Sequence, residues 1–227
     1  MGGSFSARPH YALRCAYFDA VSRAGGLPIA LPYIKETTED LLSLCNGLVL
    51  PGGTYTFPDI LYGHETNLNE KIHPRYQFES EFTLRALDAE LPMLGICAGM
   101  QIIAAAKGAT FYSDVRHELP SSIDHLNACP AENTAHRIDI LPGTQLRKII
   151  AVDYLEVNTA HKEAIKDNFG NLTISARAPD TVIEGIELPD HPFCIGVQWH
   201  PEFFAHNGDP NFKLFTALIS AAKGEGG

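Results

Sequence analysis

The feature that most constrains the fold is Cys97, a cysteine between a short apolar run and a helix pattern made of small residues. The stretch reads PMLGICAGMQIIAAAKGA over residues 92–109. A short apolar run that leads directly into a helix predicts a strand-to-helix turn. A sharp turn needs small neighbours, and Gly95, Ala98 and Gly99 supply them. The pattern predicts an accessible thiol at the carboxyl end of a strand; a buried cysteine beside a helix packing site is the alternative.

Strand and helix patterns alternate through the first half of the chain. This alternation predicts a parallel sheet covered by helices on both faces. Predicted strands are LPIALP (27–32), GLVL (47–50) and PMLGI (92–96), and predicted helices cover residues 10–24, 39–46 (capped by Thr38), 75–90 and 98–107.

The second half has closely spaced strand candidates, which predict a mixed or antiparallel extension of the sheet. No repeat or linker divides the chain, so a single domain over residues 1–227 is expected. The candidates are HRIDIL (136–141), YLEVNTAH (154–161), LTISARA (172–178), TVIEGIEL (181–188) and FCIGVQWH (193–200), followed by a terminal helix at 211–222.

Composition excludes several classes of partner. The 227 residues carry 17 Lys and Arg against 27 Asp and Glu, a net charge of −10 without a basic cluster, so no nucleic-acid partner is expected. No apolar run approaches the ~20 residues that a membrane span needs, and the start lacks a secretory signal, so a cytoplasmic location without membrane contact is predicted. The five cysteines form no C-x-x-C pair, which argues against a metal site. A homodimer is the default assembly.

A thiolate nucleophile needs a base, and the segment GVQWHPEF offers one. His200 follows a predicted buried strand, and Pro201 ends that strand. Glu202 stands two positions after His200, and side chains at i and i+2 of an extended chain point the same way. Glu202 can therefore orient the imidazole as the third member of a catalytic triad. An exposed His-Pro turn beside a solvated glutamate is the alternative.

Acyl transfer also requires donors for the developing oxyanion. The N–H of Ala98 directly follows the predicted nucleophile. The segment LVLPGGT places two glycines after another strand, so the N–H of Gly52 or Gly53 is the second candidate. Two glycines after a strand are also common in plain turns.

Taken together, these motifs resemble the class I glutamine amidotransferase-like family, on the branch that contains γ-glutamyl-γ-aminobutyrate hydrolase. The resemblance implies a flavodoxin-like three-layer α/β sandwich with a mostly parallel central sheet. It implies Cys97 as nucleophile, His200 as base and Glu202 as orienting residue, with no cofactor. The motifs are AGGLPIALP (24–32), LPGG (50–53), LYGHE (61–65), LGICAGMQ (94–101), VNTAHKEAI (157–165) and GVQWHPE (196–202).

The same resemblance assigns residues around the substrate. Gln101 occupies the place of a residue that helps to position the γ-glutamyl group, and His161 lies on a segment that borders the substrate. Glu79 matches a helix position common in this branch, without a firm role. The aromatic residues Tyr55, Phe57 and Tyr62 suggest either an apolar wall or anchors for a long loop.

This chain also departs from the branch. Ala98 stands where the hydrolases usually have Arg, and Lys162 and Glu163 replace a His-Gln pair. Relatives open with a buried strand that MGGSFSARPH does not predict. The expected activity is hydrolysis of a small-molecule γ-glutamyl amide through a thioester. The alternatives are a glutaminase subunit that feeds ammonia to a separate synthase, and a silent protein that binds γ-glutamyl ligands.

Overall fold

The structure is a computed structural model, and it describes residues 10–53, 57–65, 70–119, 123–127, 129–167 and 170–225. The helices are α1 Cys15–Arg23, α2 Thr38–Leu44, α3 Pro74–Asp88, α4 Ala98–Ala106, α5 Val115–Glu118, α6 Gln145–Ile150 and α7 Phe212–Ala222. The strands are β1 Leu48–Leu50, β2 Met93–Ile96, β3 Thr110–Tyr112, β4 His136–Ile140, β5 Tyr154–Val157, β6 Ala164–Asp167, β7 Thr173–Arg177, β8 Ile183–Glu187 and β9 Cys194–Val197.

The main sheet has seven strands in the order β1-β2-β9-β8-β7-β4-β5. Strands β1, β2 and β9 run parallel, and the other neighbours pair antiparallel. The α/β class with a parallel part and an antiparallel extension is therefore confirmed. Among the described strands, however, antiparallel pairings outnumber parallel ones, because β8, β7, β4 and β5 all join the same sheet.

Helices cover both faces of this sheet, which makes three layers. One core cluster includes Phe78 and Phe82 of α3 and Met100 of α4. The other includes Tyr17 of α1 and Phe215 of α7. The apolar residues repeat at helical spacing along α3 and α7, so each helix buries one stripe against the sheet. This packing fixes the strand ends that carry the candidate site.

Gly99 explains how α4 can lie so close to β1. A Cβ at this position would be 2.0 Å from the carbonyl oxygen of Leu50 and 2.7 Å from the Leu50 Cβ. Real side chains do not tolerate such a contact with backbone, so only glycine fits. The small residues around Cys97 thus allow the helix to pack on the neighbouring strand.

The strand predicted at residues 27–32 is wrong. This segment is irregular, and Leu27 and Ile29 are 85% and 60% exposed. Isolated extended chain is not stable, because strands need hydrogen-bonded neighbours. No described strand pairs with it, and a groove of about 930 Å³ is lined both by residues 27–31 and by β1. The unusual start of the chain, residues 1–9, lies outside the described residues.

Smaller differences concern element ends. The first helix begins at Cys15 rather than at residue 10. The predicted Thr38 cap is also wrong, since Thr38 belongs to α2 and its hydroxyl donates to the Lys35 carbonyl. Two strands were not predicted, β3 and β6, which form a separate antiparallel pair. Among the described helices, none has the length and apolar composition that crossing a bilayer requires.

Candidate active site

Cys97 lies at the strand-to-helix turn that the sequence predicts. It follows β2, its N–H donates to the Val197 carbonyl at 2.8 Å, and α4 begins at the next residue. Its φ of 54° and ψ of −112° lie in a region that side chains rarely adopt. Such strain is typical of a nucleophile held at a fixed angle above a sheet. Cys97 is only 6% exposed, so the thiol that the sequence predicted to be accessible is buried.

His200 and Glu202 meet directly behind Cys97. The His200 Nδ1 lies 2.8 Å from Glu202 Oε1, and the Glu202 side chain is fully buried. The Cys97 thiol lies close enough to this imidazole for the two groups to shift each other's pKa. A carboxylate only accepts hydrogen bonds, so it keeps a proton on Nδ1 and directs Nε2 to the thiol. The structure thus brings the three sequence-predicted residues together.

The backbone of His200 is held by Asn158, a residue that the sequence reasoning missed. Asn158 Oδ1 accepts the His200 N–H at 2.8 Å, and its Nδ2 donates to the His200 carbonyl at 3.1 Å. A side-chain amide that pairs with both backbone groups of one residue fixes its orientation. Its place in the VNTAH motif was the available signal, and the structure places it directly after β5.

The electrostatics favour charge separation between thiol and imidazole. Burial alone would raise the pKa of the Cys97 thiol, but the charge and hydrogen bond of His200 outweigh it and lower that pKa. Burial likewise opposes the charged form of His200, but the Cys97 charge and hydrogen bond, followed by those of Glu202, raise its pKa. By contrast, burial raises the pKa of Cys194 to about 12. Both shifts favour a thiolate at Cys97 paired with an imidazolium at His200.

The candidate oxyanion donors differ in availability. The Ala98 N–H helps to lower the pKa of the adjacent Cys97 thiol. The Gly52 N–H is already used, because it donates to the Tyr17 hydroxyl at 2.8 Å. Within the described part of the chain, the Gly53 N–H makes no hydrogen bond. Of the two glycine candidates, Gly53 is therefore the one whose N–H has no partner among the described residues.

Gly52 has another role, which is to let the PGG segment approach the reacting groups. A Cβ on Gly52 would lie 2.6 Å from His200 Cε1 and 3.3 Å from the Cys97 Cβ. Any side chain there would displace the imidazole from the thiol. The Gly-rich segment after β1, residues 51–53, is thus a wall of the candidate site rather than a plain turn, and we call it the Gly-rich wall.

A buried ion pair clamps this Gly-rich wall. Arg75 donates from Nη1 to the Gly52 carbonyl at 2.9 Å, from Nη2 to the Pro51 carbonyl, and from Nε to Glu79 at 2.6 Å. The planar guanidinium can make all of these bonds at once. Glu79 thereby acquires a role that the sequence did not show: it holds the arginine that holds the wall.

The structure places the two predicted substrate-side residues in buried networks. The Gln101 amide nitrogen donates to the Glu163 carbonyl and to Gln198 Oε1, each at 3.0 Å. His161 is buried, with Nδ1 bonded to the Glu163 carbonyl at 2.9 Å, and it is near enough to Cys97 for their charges to interact. Both residues therefore lie beside the triad, and both are held by protein groups.

The aromatic loop after the Gly-rich wall is anchored to the core. Phe57 is buried and stacks on Phe111 at 5.2 Å between ring centroids. The Tyr62 hydroxyl donates to Glu163 Oε1 at 2.7 Å and accepts the Phe57 N–H. Of the two interpretations of these aromatics, the anchoring one fits Phe57 and Tyr62, while Tyr55 lies outside the described residues.

Comparison with known proteins shows the family of this chain. The family model described as Peptidase C26 matches residues 2–202. The glutamine amidotransferase-like protein RP404 of Rickettsia prowazekii is 33% identical over 256 aligned positions, which cover 95% of this chain and 90% of that protein. The γ-glutamyl-γ-aminobutyrate hydrolase PuuD of Escherichia coli K12 is 29% identical, with 91% of this chain and 85% of PuuD covered.

A solved structure supports the fold. The glutaminase domain of Trypanosoma brucei CTPS with bound acivicin superposes with a TM-score of 0.67 at 16% identity, covering 92% of this chain and 88% of that domain. At that identity the likeness concerns the fold alone. With the family model matching most of its length, this chain belongs to the Peptidase C26 family and has the class I glutamine amidotransferase fold.

Proposed function

We propose that this protein hydrolyses γ-glutamyl amides, with Cys97 as nucleophile, His200 as acid and base, and Glu202 as its orienting partner. The observation that carries the proposal is the buried His200–Glu202 hydrogen bond beside the Cys97 thiol, whose pKa is lowered by His200. A thiolate beside an imidazolium matches covalent acyl transfer, because both reacting charges exist before the substrate binds.

The reaction begins with attack of the Cys97 thiolate on the γ-carbonyl carbon. The carbon–nitrogen bond of the resulting intermediate breaks as the His200 imidazolium gives its proton to the leaving amine. Neutral His200 then takes a proton from water, and the hydroxide attacks the thioester. Glutamate leaves, the thiolate returns, and His200 is again an imidazolium. One water is consumed for each amide cleaved.

Two sets of residues lower the barriers of these steps. The N–H groups of Ala98 and Gly53 are the proposed donors to the oxyanion, each of which contributes typically ~10²–10³-fold. Glu202 keeps His200 in one tautomer and stabilises its charged form. Arg75 and Glu79 hold the wall that carries Gly53, and Asn158 holds the backbone of His200.

The proposal also concerns which amine is joined to the γ-glutamyl group of the substrate. The similarity to PuuD favours γ-glutamyl-γ-aminobutyrate or a related γ-glutamylamine. The similarity to RP404 keeps glutamine itself, as the substrate of an ammonia-supplying glutaminase, as the second candidate. Both substrates share the γ-carbonyl that Cys97 would attack.

The test is release of glutamate from a panel of γ-glutamyl amides by wild-type protein and by Cys97→Ala. We expect turnover of γ-glutamylamines over glutamine, and a loss of about 10⁴-fold or more in Cys97→Ala with an unchanged melting temperature. Cys194→Ala is the matched control, since it removes another buried thiol and leaves the rate intact. Undiminished turnover by Cys97→Ala would refute the mechanism, and preference for glutamine would favour the second candidate.

A further inference from the structure

A second group of buried titratable side chains lies beside the proposed active site. It consists of His125, His136, His161 and Glu184, all buried, with His125 and Glu184 at 0% exposure. His125 belongs to the segment 123–127, His136 begins β4, His161 precedes β6 and Glu184 lies on β8. Chain segments that are distant in sequence therefore converge on one point, which we call the histidine cluster.

Each imidazole of the histidine cluster has one nitrogen that faces Glu184, the inner nitrogen, and one that faces away from it, the outer nitrogen. Each outer nitrogen already has a hydrogen-bond acceptor as its partner. His125 Nε2 is 2.8 Å from Asp180 Oδ2, and His161 Nδ1 is 2.9 Å from the Glu163 carbonyl. His136 Nδ1 is 3.1 Å from the Arg137 carbonyl. Since carboxylates and carbonyls only accept hydrogen bonds, the outer nitrogens carry the protons. In neutral imidazoles the inner nitrogens then present lone pairs.

These inner nitrogens all face the same carboxylate oxygen. Glu184 Oε1 lies 3.4 Å from His125 Nδ1, 3.5 Å from His161 Nε2 and 3.6 Å from His136 Nε2. Among the described residues, none of these nitrogens and neither Glu184 oxygen makes a hydrogen bond. Buried acceptors that face each other without a donor are costly. The arrangement therefore calls for a cation at its centre.

The spacing fits a bound metal ion better than direct hydrogen bonds. A tetrahedral ion with ligand distances of ~2.0–2.1 Å separates neighbouring ligand atoms by about 3.4 Å. The ligand atoms of His125, His161 and Glu184 all lie within 4.8 Å of one another. Outer-nitrogen partners such as Asp180 and the Glu163 carbonyl are also what metal-binding histidines usually have.

We propose that His125, His161 and Glu184 form a binding site for a divalent transition metal of the zinc type, with His136 as a further nitrogen donor. Imidazole nitrogens with one carboxylate suit Zn²⁺, whereas Mg²⁺ and Ca²⁺ prefer oxygen ligands alone. The ion would tie segment 123–127 to β4 and β8. It would also fix His161, whose ring is near Cys97.

Protons are the competing occupant of the histidine cluster. A proton on the inner nitrogen of His161 would make this side chain an imidazolium that neutralises the charge of Glu184. The inner nitrogen of His125 would still face the Glu184 carboxylate. Metal binding must displace that proton, so metal affinity is expected to fall as the pH is lowered.

The experiment uses the full chain without an affinity tag, stripped with a chelator and then titrated with Zn²⁺, Co²⁺, Mg²⁺ or Ca²⁺. We expect one Zn²⁺ per chain by elemental analysis after dialysis, visible absorption typical of tetrahedral Co²⁺, and a melting temperature raised by Zn²⁺ and Co²⁺ but not by Mg²⁺ or Ca²⁺. Glu184→Gln should bind Zn²⁺ at least ~100-fold more weakly. His125→Asn is the second variant, for the case that Glu184→Gln does not fold.

The matched control is His191→Asn, which removes a buried imidazole outside the histidine cluster. It should bind Zn²⁺ as the wild type does. The proposal is overturned if the wild type retains no Zn²⁺, or if Glu184→Gln or His125→Asn retains it with full affinity. Because the readout is metal content and melting temperature, this result is independent of the proposed hydrolysis.

Discussion

Glu202 and Glu184 are both buried carboxylates that face imidazoles, yet their surroundings differ. Glu202 has one histidine at 2.8 Å, and that histidine lies beside the Cys97 thiol. Glu184 has three histidine nitrogens at 3.4–3.6 Å and no hydrogen bond to either oxygen among the described residues. The first carboxylate is arranged to direct a proton, and the second to share a cation. Distance and hydrogen-bond direction, rather than residue type, separate the two.

The largest effect is expected on the rate of glutamate release when Glu202 is replaced. Glu202→Gln should lower kcat for glutamate release by about 10²–10⁴-fold, because an amide neither stabilises the imidazolium nor fixes its tautomer. Steady-state kinetics and thermal unfolding check this together. Glu187→Gln is the control, since that buried carboxylate accepts the Gln145 and Leu146 N–H groups at the start of α6. It should cost stability but not kcat. A Glu202→Gln protein within tenfold of wild type would remove Glu202 from the mechanism.

The second-largest effect is expected on Zn²⁺ affinity when Asp180, the hydrogen-bond partner of His125, is replaced. Asp180→Asn should weaken Zn²⁺ binding about 10–100-fold, because the amide is a weaker partner for His125 Nε2–H than the carboxylate. Equilibrium dialysis against zinc buffers measures the change. Asp139→Asn, an exposed aspartate paired with Arg137, is the control and should leave the affinity as it is. Equal affinity in Asp180→Asn and wild type would argue against His125 as a ligand.

A third prediction tests the charge state of the thiol. His200→Gln should move the pH midpoint for alkylation of Cys97 by iodoacetamide to higher pH, because the imidazolium that lowers the thiol pKa is lost. In the wild type the thiolate persists below the ordinary thiol pKa and is protonated only as the pH falls through the lowered value. Mass spectrometry of the Cys97 peptide gives the rates. His191→Gln should keep the wild-type profile, and an unmoved midpoint in His200→Gln would contradict the ion pair.

The smallest expected effect is on the Gly-rich wall. Arg75→Lys should lower kcat/KM by about tenfold, because a single ammonium cannot reach the Pro51 and Gly52 carbonyls and Glu79 together. Arg85→Lys, an exposed position on the same helix, is the matched control with no measurable change. If both variants behave alike, the clamp has no part in placing Gly53.

The features that could be predicted from the sequence are those that contiguous residues specify. The β2–Cys97–α4 turn could be predicted because small residues, a strand run and a helix pattern are contiguous. His200 and Glu202 are similarly close in sequence, and the motif resemblance joined them to Cys97. The strand predicted at 27–32 failed because a strand is defined by its neighbours, and no described strand pairs with this segment. Periodicity alone carries no information about pairing.

The sequence by itself determined the α/β alternation, the strained cysteine turn and the family, since each is written in contiguous residues. Only the tertiary structure decided which glycine N–H is already bonded, which arginine holds the Gly-rich wall, and that His125, His161 and Glu184 share one point. The physical reason is the same for all three. Hydrogen-bond partners and ligand distances depend on where separate segments meet, and no local pattern of residue types specifies that meeting point.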